Sequence, residues 1–251
     1  MALPTTPLIG KVAVVLGGTG DIGSATAHLF ADAGARVAVV ASRDRRRAET
    51  TAANLPGTGH QGYAAAIDHS DELTALAQAV SVDLGRADIL VNSAAVTIAV
   101  PHADLEAMDD ESFDRILRVN TRGAFAAMRA FAPLLRAHSD GLVVNISSLS
   151  GSTGVGSCVA YCASKAALDV IGMSLARALA PAIRVLTISP GIVDTDFVPG
   201  RDKAMREKQG ATSPLKRAAT PQDCAEAVLA CATTLRFSTG SVIQVDGGRH
   251  L

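Results

Sequence analysis

The chain has 251 residues, 48% of them hydrophobic and 19% charged, which is ample material for a large core and excludes a disordered segment. A formal net charge of −1, 3% aromatic residues and no tryptophan leave neither the basic footprint nor the stacking platforms of a nucleic-acid binder. No apolar run approaches a membrane span, and Met1-Ala2-Leu3-Pro4 lacks the charged and apolar regions of a signal peptide, so a soluble cytoplasmic protein with no membrane partner is expected.

In chain order, short β-branched runs stand at Val12 to Leu16, Val37 to Ala41, Tyr63 to Ile67, Ile89 to Asn92, Leu142 to Ile146, Arg184 to Ser189 and Val242 to Val245. Stretches of helical period lie between them, near 22–33, 45–54, 71–84, 111–137, 160–180 and 221–235. Strand and helix alternate, and the strands read as near-continuous apolar runs. That pattern predicts an α/β fold: a parallel sheet covered on both faces, three layers in all. No linker, repeat or low-complexity stretch divides residues 1–251, which are expected to form one domain. The segment 192–220 lacks clear periodicity and contains Pro199, Gly200, Gly210 and Pro214 among many charges; it is read as a substrate lid.

The first strand runs into Gly17-Gly18-Thr19-Gly20-Asp21-Ile22-Gly23, and a helical run follows at once. A turn with few Cβ atoms lets backbone N–H groups and the positive end of the next helix approach a pyrophosphate closely, so this placement predicts a dinucleotide site. An NAD site usually has a carboxylate at the end of the second strand for the ribose 2′-hydroxyl. Here that strand ends Val40-Ala41-Ser42-Arg43, and Ser42 with Arg43 suits a 2′-phosphate. NADP(H) is therefore favoured over NAD(H). Arg45, Arg46 and Arg47 would add positive potential at the rim, though they are read chiefly as a solvated helix face.

Tyr161-Cys162-Ala163-Ser164-Lys165 places a phenol and an ammonium one helical turn apart on one face. A nearby cation favours the phenolate, so Lys165 is expected to lower the Tyr161 pKa and fit it for proton exchange. Ser148 ends the fifth strand in Asn145-Ile146-Ser147-Ser148, where strand C-termini deliver side chains to a ligand crevice, and its hydroxyl can donate to a carbonyl oxygen. Asn120, in Arg118-Val119-Asn120-Thr121, stands on a long helix, an unfavourable place for a buried amide. The four cysteines, Cys158, Cys162, Cys224 and Cys231, have no metal-ligand spacing and are read as reduced packing residues; the first two flank Tyr161, which leaves open a place beside an active site.

These motifs, in this order, resemble the single-domain branch of the short-chain dehydrogenase/reductase family, and in particular its 3-oxoacyl-thioester reductases. The match extends through Asp68, Asn92-Ser93-Ala94-Ala95 and Ser189-Pro190-Gly191-Ile192-Val193-Asp194-Thr195 to the closing Val245-Asp246-Gly247-Gly248. The resemblance implies seven parallel strands in Rossmann order and no metal. It implies an oxidoreductase that interconverts a ketone, or an acyl-thioester ketone, with its alcohol. Tyr161 would then be the proton donor and acceptor. Lys165 would lower its pKa and hold the nicotinamide ribose, Ser148 would hold the substrate oxygen, and Asn120 would position a water. Dinucleotide contacts would fall on Gly17, Thr19, Gly20, Asp21, Ile22, Gly23, Ser42, Arg43, Asp68, Asn92, Ala94, Pro190, Gly191, Ile192, Val193 and Thr195. Asp68 would lie near the adenine, Asn92 would brace the central strands, and Ile192 with Thr195 would take the carboxamide. A homotetramer or homodimer through 111–137, 160–180 and the last strand is implied as well.

Two positions depart from the family's pattern. Asp21 replaces the middle glycine of the turn, and a carboxylate there is expected to point to solvent or to cap the next helix. Ala95 replaces a glycine. Asp21 also motivates a second reading, a catalytically silent nucleotide-binding regulatory protein. A sugar-nucleotide epimerase of the extended branch is disfavoured because only 60 residues follow Gly191.

Overall fold

The computed structural model describes residues 6–138 and 140–251; the leader reading of Met1 to Pro4 lies outside them. Strands β1 (Val12–Leu16), β2 (Arg36–Ala41), β3 (Gln61–Ala64), β4 (Ile89–Asn92), β5 (Gly141–Ile146), β6 (Ile183–Pro190) and β7 (Val242–Val245) form one parallel sheet in the order β3-β2-β1-β4-β5-β6-β7. Helices α1 (Asp21–Asp32), α2 (Arg45–Ala53) and α9 (Pro221–Thr233) cover one face. The other face carries α3 (Ser70–Leu84), α5 (Ala124–Arg136) and α7 (Val159–Leu179). The fold is thus the expected three-layer, doubly wound Rossmann type.

Alternation across the pleat explains why the strands read as continuous apolar runs. Val12, Val14 and Leu16 enter the layer of α3 and α5 around Phe131, while Ala13 and Val15 enter the layer of α1 around Phe30. Both faces are dry, so no polar residue marks an outside. β1 sits between β2 and β4, and the chain leaves it in opposite directions on its two sides. That switch opens a crevice above the strand C-termini.

Several elements differ from the sequence expectation. The helix expected over 111–137 is α4 (Asp110–Leu117), a π-helical turn (Arg118–Gly123) and α5. β3 stops at Ala64 because its partner β2 ends at Ala41. Two short helices, α6 (Ser150–Thr153) and α8 (Lys203–Gly210), were not expected. In α8 only Arg206 and Gly210 are buried, so no apolar stripe betrays the helix; its N-cap Asp202 accepts from Met205 N–H at 2.8 Å. By length and composition alone α7 could cross a membrane, contrary to the expectation that no such run exists. Its apolar side chains pack on β6, and Tyr161, Lys165 and Asp169 are buried in it, which accounts for its composition as a core helix.

At the opposite end of the sheet from the crevice, Asp88 ties β1 to β4. Its side chain, 1% exposed, accepts Val12 N–H at 2.9 Å and Arg86 Nε–H at 2.8 Å, with Lys11 Nζ at 3.3 Å. Burial raises this carboxyl, but Arg86, the Val12 amide and Lys11 outweigh it and hold it below the usual range. A depressed carboxyl stabilises the fold above its unfolded pKa and loses that contribution as pH falls through its folded pKa. Asp88→Ala leaves the buried Val12 N–H and the partly buried Arg86 guanidinium without this partner. It is expected to cost roughly 3–5 kcal/mol in urea denaturation at neutral pH, with a smaller loss in acid; an unchanged midpoint would refute the assignment.

Candidate active site

The turn between β1 and α1 is shaped by what a Cβ would strike. Gly17 has φ +75°, and a Cβ on it would stand 2.8 Å from Ala94 N; a Cβ on Gly23 would meet the Gly17 carbonyl oxygen at 2.1 Å. The turn and the start of α1 therefore fit only with glycine at these two places. Gly20 is different: it is the N-cap of α1, and a Cβ there would meet nothing closer than 3.4 Å. Asp21 opens α1, is exposed and makes no side-chain hydrogen bond, so of the two expected fates it takes solvent and not the cap.

Ser42 and Arg43 leave the end of β2 exposed at the rim of the same cleft, with Thr19 and Ile22 on its floor. Asp44, the first carboxylate after the strand, turns back to cap α2 by accepting Arg47 N–H at 2.9 Å. The three arginines part company here. Arg45 pairs with Glu49 at 2.8 Å in solvent, whereas Arg47 lines the cleft and donates to the Thr19 carbonyl at 2.9 Å. Sequence reasoning treated Arg45 to Arg47 as one group, rim cations or a solvated face; the Asp44 cap, which bonds Arg47 N–H, was the signal that sets Arg47 apart. Asp68 lines the cleft beyond β3 with Arg118 Nε 3.4 Å away.

Deeper in, Ser148, Tyr161 and Lys165 line one wall. The Lys165 ammonium is buried, donates to the Ile146 carbonyl at 2.7 Å and lies 5.6 Å from the centre of the Tyr161 ring. Burial pulls it down to about 8, opposed by Asp169 one turn further along α7. The phenol does not follow the sequence expectation. Burial pushes Tyr161 up to about 12, and the Ser148 hydroxyl only partly offsets this; Lys165 does not bring it below the ordinary value. The physical reason is that burial disfavours the charged phenolate more than the Ser148 hydroxyl and the Arg201 charge favour it. Tyr161 is accordingly a neutral phenol at neutral pH.

Two expected site residues stand behind the wall. Asn120 is 1% exposed; its Oδ1 accepts Val96 N–H at 2.8 Å and its Nδ2 donates to Val96 O at 2.9 Å and to Ser164 Oγ at 3.1 Å. The π-helical turn thus brings Asn120 to fix the backbone of a cleft residue, and its amide hydrogens are already engaged rather than free for a water. Asn92 is buried and donates to Asn145 Oδ1 at 2.8 Å, bracing β4 against β5 as expected but not lining the cleft. Cys158 caps α7, its Sγ accepting Tyr161 N–H at 3.4 Å, so one buried cysteine does set the catalytic helix; all four are free and buried.

The far side of the cleft is the segment after β6. Pro190, Gly191, Ile192, Val193 and Thr195 line it, and Ala219 N–H donates to the Ile192 carbonyl at 2.8 Å, closing the base of the 192–220 loop. Arg206 bonds Asp194 at 2.7 Å and Asp196 at 2.8 Å, holding α8 to that base. Phe197 stands over Tyr161 with ring centres 5.8 Å apart. The whole cleft measures about 1200 Å³, with the glycine turn at one end and this loop at the other. A glycine cradle, Ala94 against Gly17 and a buried ammonium fit a nicotinamide dinucleotide.

A family model described as enoyl-(acyl carrier protein) reductase matches residues 18–250. A protein of Streptomyces violaceoruber named as a ketoacyl reductase of the granaticin polyketide synthase is 36% identical, covering 96% of both chains. The cis-4-hydroxycyclohexanecarboxylate dehydrogenase of Sinomonas cyclohexanicum is 33% identical over 95% of this chain and 96% of its own. A crystal structure from Burkholderia xenovorans assigned to the short-chain dehydrogenases/reductases superposes with TM-score 0.86 at 35% identity, over 95% of this chain and 97% of that one. With this cleft and these relatives, the chain belongs to the short-chain dehydrogenase/reductase family of NAD(P)-dependent oxidoreductases.

Proposed function

We propose that the protein interconverts a carbonyl and a secondary alcohol with NADP(H), Tyr161 exchanging the proton with the substrate oxygen. The observation that carries this reading is the convergence of Ser148, Tyr161 and Lys165 on one wall of the cleft that begins at the glycine turn. The cofactor, when bound, supplies the hydride to the carbonyl carbon. The chain's own residues supply orientation and the proton. Ser148 Oγ donates to the substrate oxygen and fixes it beside the phenol. Tyr161, protonated at neutral pH, is the acid that oxygen needs as negative charge builds on it. Lys165 keeps a positive charge below that oxygen while its bond to Ile146 fixes its position. Asn120 is a positioning residue, holding Val96 in the cleft floor.

Gly17, Gly23, Ala94 and Lys165 are placed to hold the dinucleotide, and Ser42, Arg43 and Arg47 to meet a 2′-phosphate. Relatives named for a ketoacyl substrate and for a hydroxycyclohexanecarboxylate support carbonyl and alcohol chemistry as the shared activity. Asp21 is exposed on the cleft lining beside the glycines and leaves Ser148, Tyr161 and Lys165 together in the same cleft, so the silent regulatory reading gains no support. Exposed Phe125, Val170 and Met173 on α5 and α7 support a homodimer or homotetramer through these helices.

A carbonyl and alcohol panel assayed with NADPH and NADH in parallel tests the reaction and the cofactor together. Tyr161→Phe should lower kcat by roughly 10²–10⁴-fold with NADPH affinity unchanged; wild-type turnover in this variant refutes the proton donor. Arg43→Ala should weaken NADPH about tenfold, near 1.4 kcal/mol, and leave NADH alone; equal losses for both cofactors would count against a 2′-phosphate site. In Gly23→Ala the new methyl must displace the Gly17 carbonyl, so both cofactors should weaken roughly 10- to 100-fold in a binding titration; full affinity would show that the turn is not the cradle.

A further inference from the structure

The substrate half of the cleft contains a cation that neither the fold nor the proposed reaction uses. Arg201 follows the loop that sets Phe197 on Tyr161, it lines the cleft, and it is partly buried. Among the described residues its guanidinium has no hydrogen-bond or ion-pair partner, an unusual condition for an arginine removed this far from water. Carboxylates stand nearby but are engaged: Asp194 and Asp196 both bond Arg206. Arg249 adds a second charge on the same side, its Nη1 bonded to the uncharged Gln209 carbonyl at 2.8 Å and to Thr212 Oγ1, and so without a counter-ion. Burial depresses Arg201, and the neighbouring Arg249 and Arg206 cations depress it further, with Tyr161 acting the other way only where it ionises. Gln209, also on the cleft wall, has a buried Oε1 with no partner. Phe197, Val198 and Val155 add apolar surface to the cleft that Arg201 and Tyr161 line.

We propose that Arg201 is a specificity-determining residue and that the substrate is an oxo or hydroxy acid, its carboxylate paired with Arg201 while its oxygen meets Ser148 and Tyr161. An apolar body spanning Phe197 separates the two polar ends. A planar guanidinium receives a carboxylate through two parallel N–H donors, and in a partly desolvated pocket such a pair discriminates strongly against a neutral analogue, which leaves the cation buried and unpaired. This inference rests on the carbonyl and alcohol reading, since it places the acid relative to the reacting oxygen.

Matched pairs test it: 4-acetylbenzoate and 5-oxohexanoate against their methyl esters, with acetoacetyl-coenzyme A as a substrate whose anionic groups are phosphates. In the wild type each acid should exceed its ester in kcat/KM by at least about tenfold. Arg201→Gln should lower the acid by roughly 10- to 100-fold through KM, leave the ester unchanged and keep the thermal midpoint; Arg201→Lys should restore part of the acid preference. Equal values for acid and ester, or a parallel loss on both in Arg201→Gln, overturn the proposal. So does a preference for acetoacetyl-coenzyme A that vanishes in Arg201→Gln while the acids are unaffected, because the arginine then reads a phosphate. Calorimetric titration of the same acids into NADP-saturated Tyr161→Phe separates the two readings. Acid binding that Arg201→Gln abolishes in this background supports the carboxylate site whatever the fate of the proton donor, and absence of acid binding refutes it.

Discussion

The hydrogen bond from the Lys165 ammonium to the Ile146 carbonyl joins the two halves of the site. Ile146 ends β5 and Lys165 lies nearly two turns into α7, so this contact fixes how α7 sits on the C-terminal edge of the sheet, where Ser148 follows β5. A buried ammonium costs several kcal/mol unless it is paired, and the structure offsets that cost twice, with the carbonyl dipole and with Asp169, itself 8% exposed. The result is a cation only partly desolvated in its chemistry, titrating at about 8 and so still mostly protonated at neutral pH. Mostly protonated at neutral pH, the Lys165 amine has no lone pair with which to take the proton of Tyr161 in the free protein. Both groups are therefore mostly protonated in the free protein at neutral pH.

The fold was legible because the constraint that makes it is written at short range. A parallel strand buried on both faces has no solvent side, so Val12 to Leu16 must be apolar throughout, and only helices on both faces can cover such a sheet. The turn was legible for a similar reason: Gly23 permits no Cβ beside the Gly17 carbonyl, and that prohibition is a property of the backbone itself. Tyr161 and Lys165 share a helix, so their spacing alone brings them together.

What failed to show in the sequence depends on contacts between distant segments. The π-helical turn at 118–123 exists because Asn120 must reach Val96 and Ser164, on a loop and a helix that periodicity within 111–137 cannot see. α8 is hidden because its stability comes from Arg206 bonding Asp194 and Asp196, an ionic arrangement and not an apolar stripe. The pKa of Tyr161 was misjudged because a spacing argument counts the neighbouring charge and omits desolvation, and here desolvation is the larger effect. Arg201 was missed because nothing local distinguishes an arginine that faces a cleft from one that faces water.

The arginines of the cleft divide it by dielectric as well as by position. At the ribose end Arg43 and Arg47 are exposed, so their attraction for an anion is screened by salt and works at an effective dielectric constant nearer that of water. At the other end Arg201 is partly desolvated, where the same charge separation is worth severalfold more and ions reach it less easily. Between them the wall of Ser148, Tyr161 and Phe197 is uncharged but for the ammonium beneath. On the proposed reading, an anion at the ribose end would meet cations that any electrolyte weakens, and a substrate anion would meet the cation that water and salt disturb least.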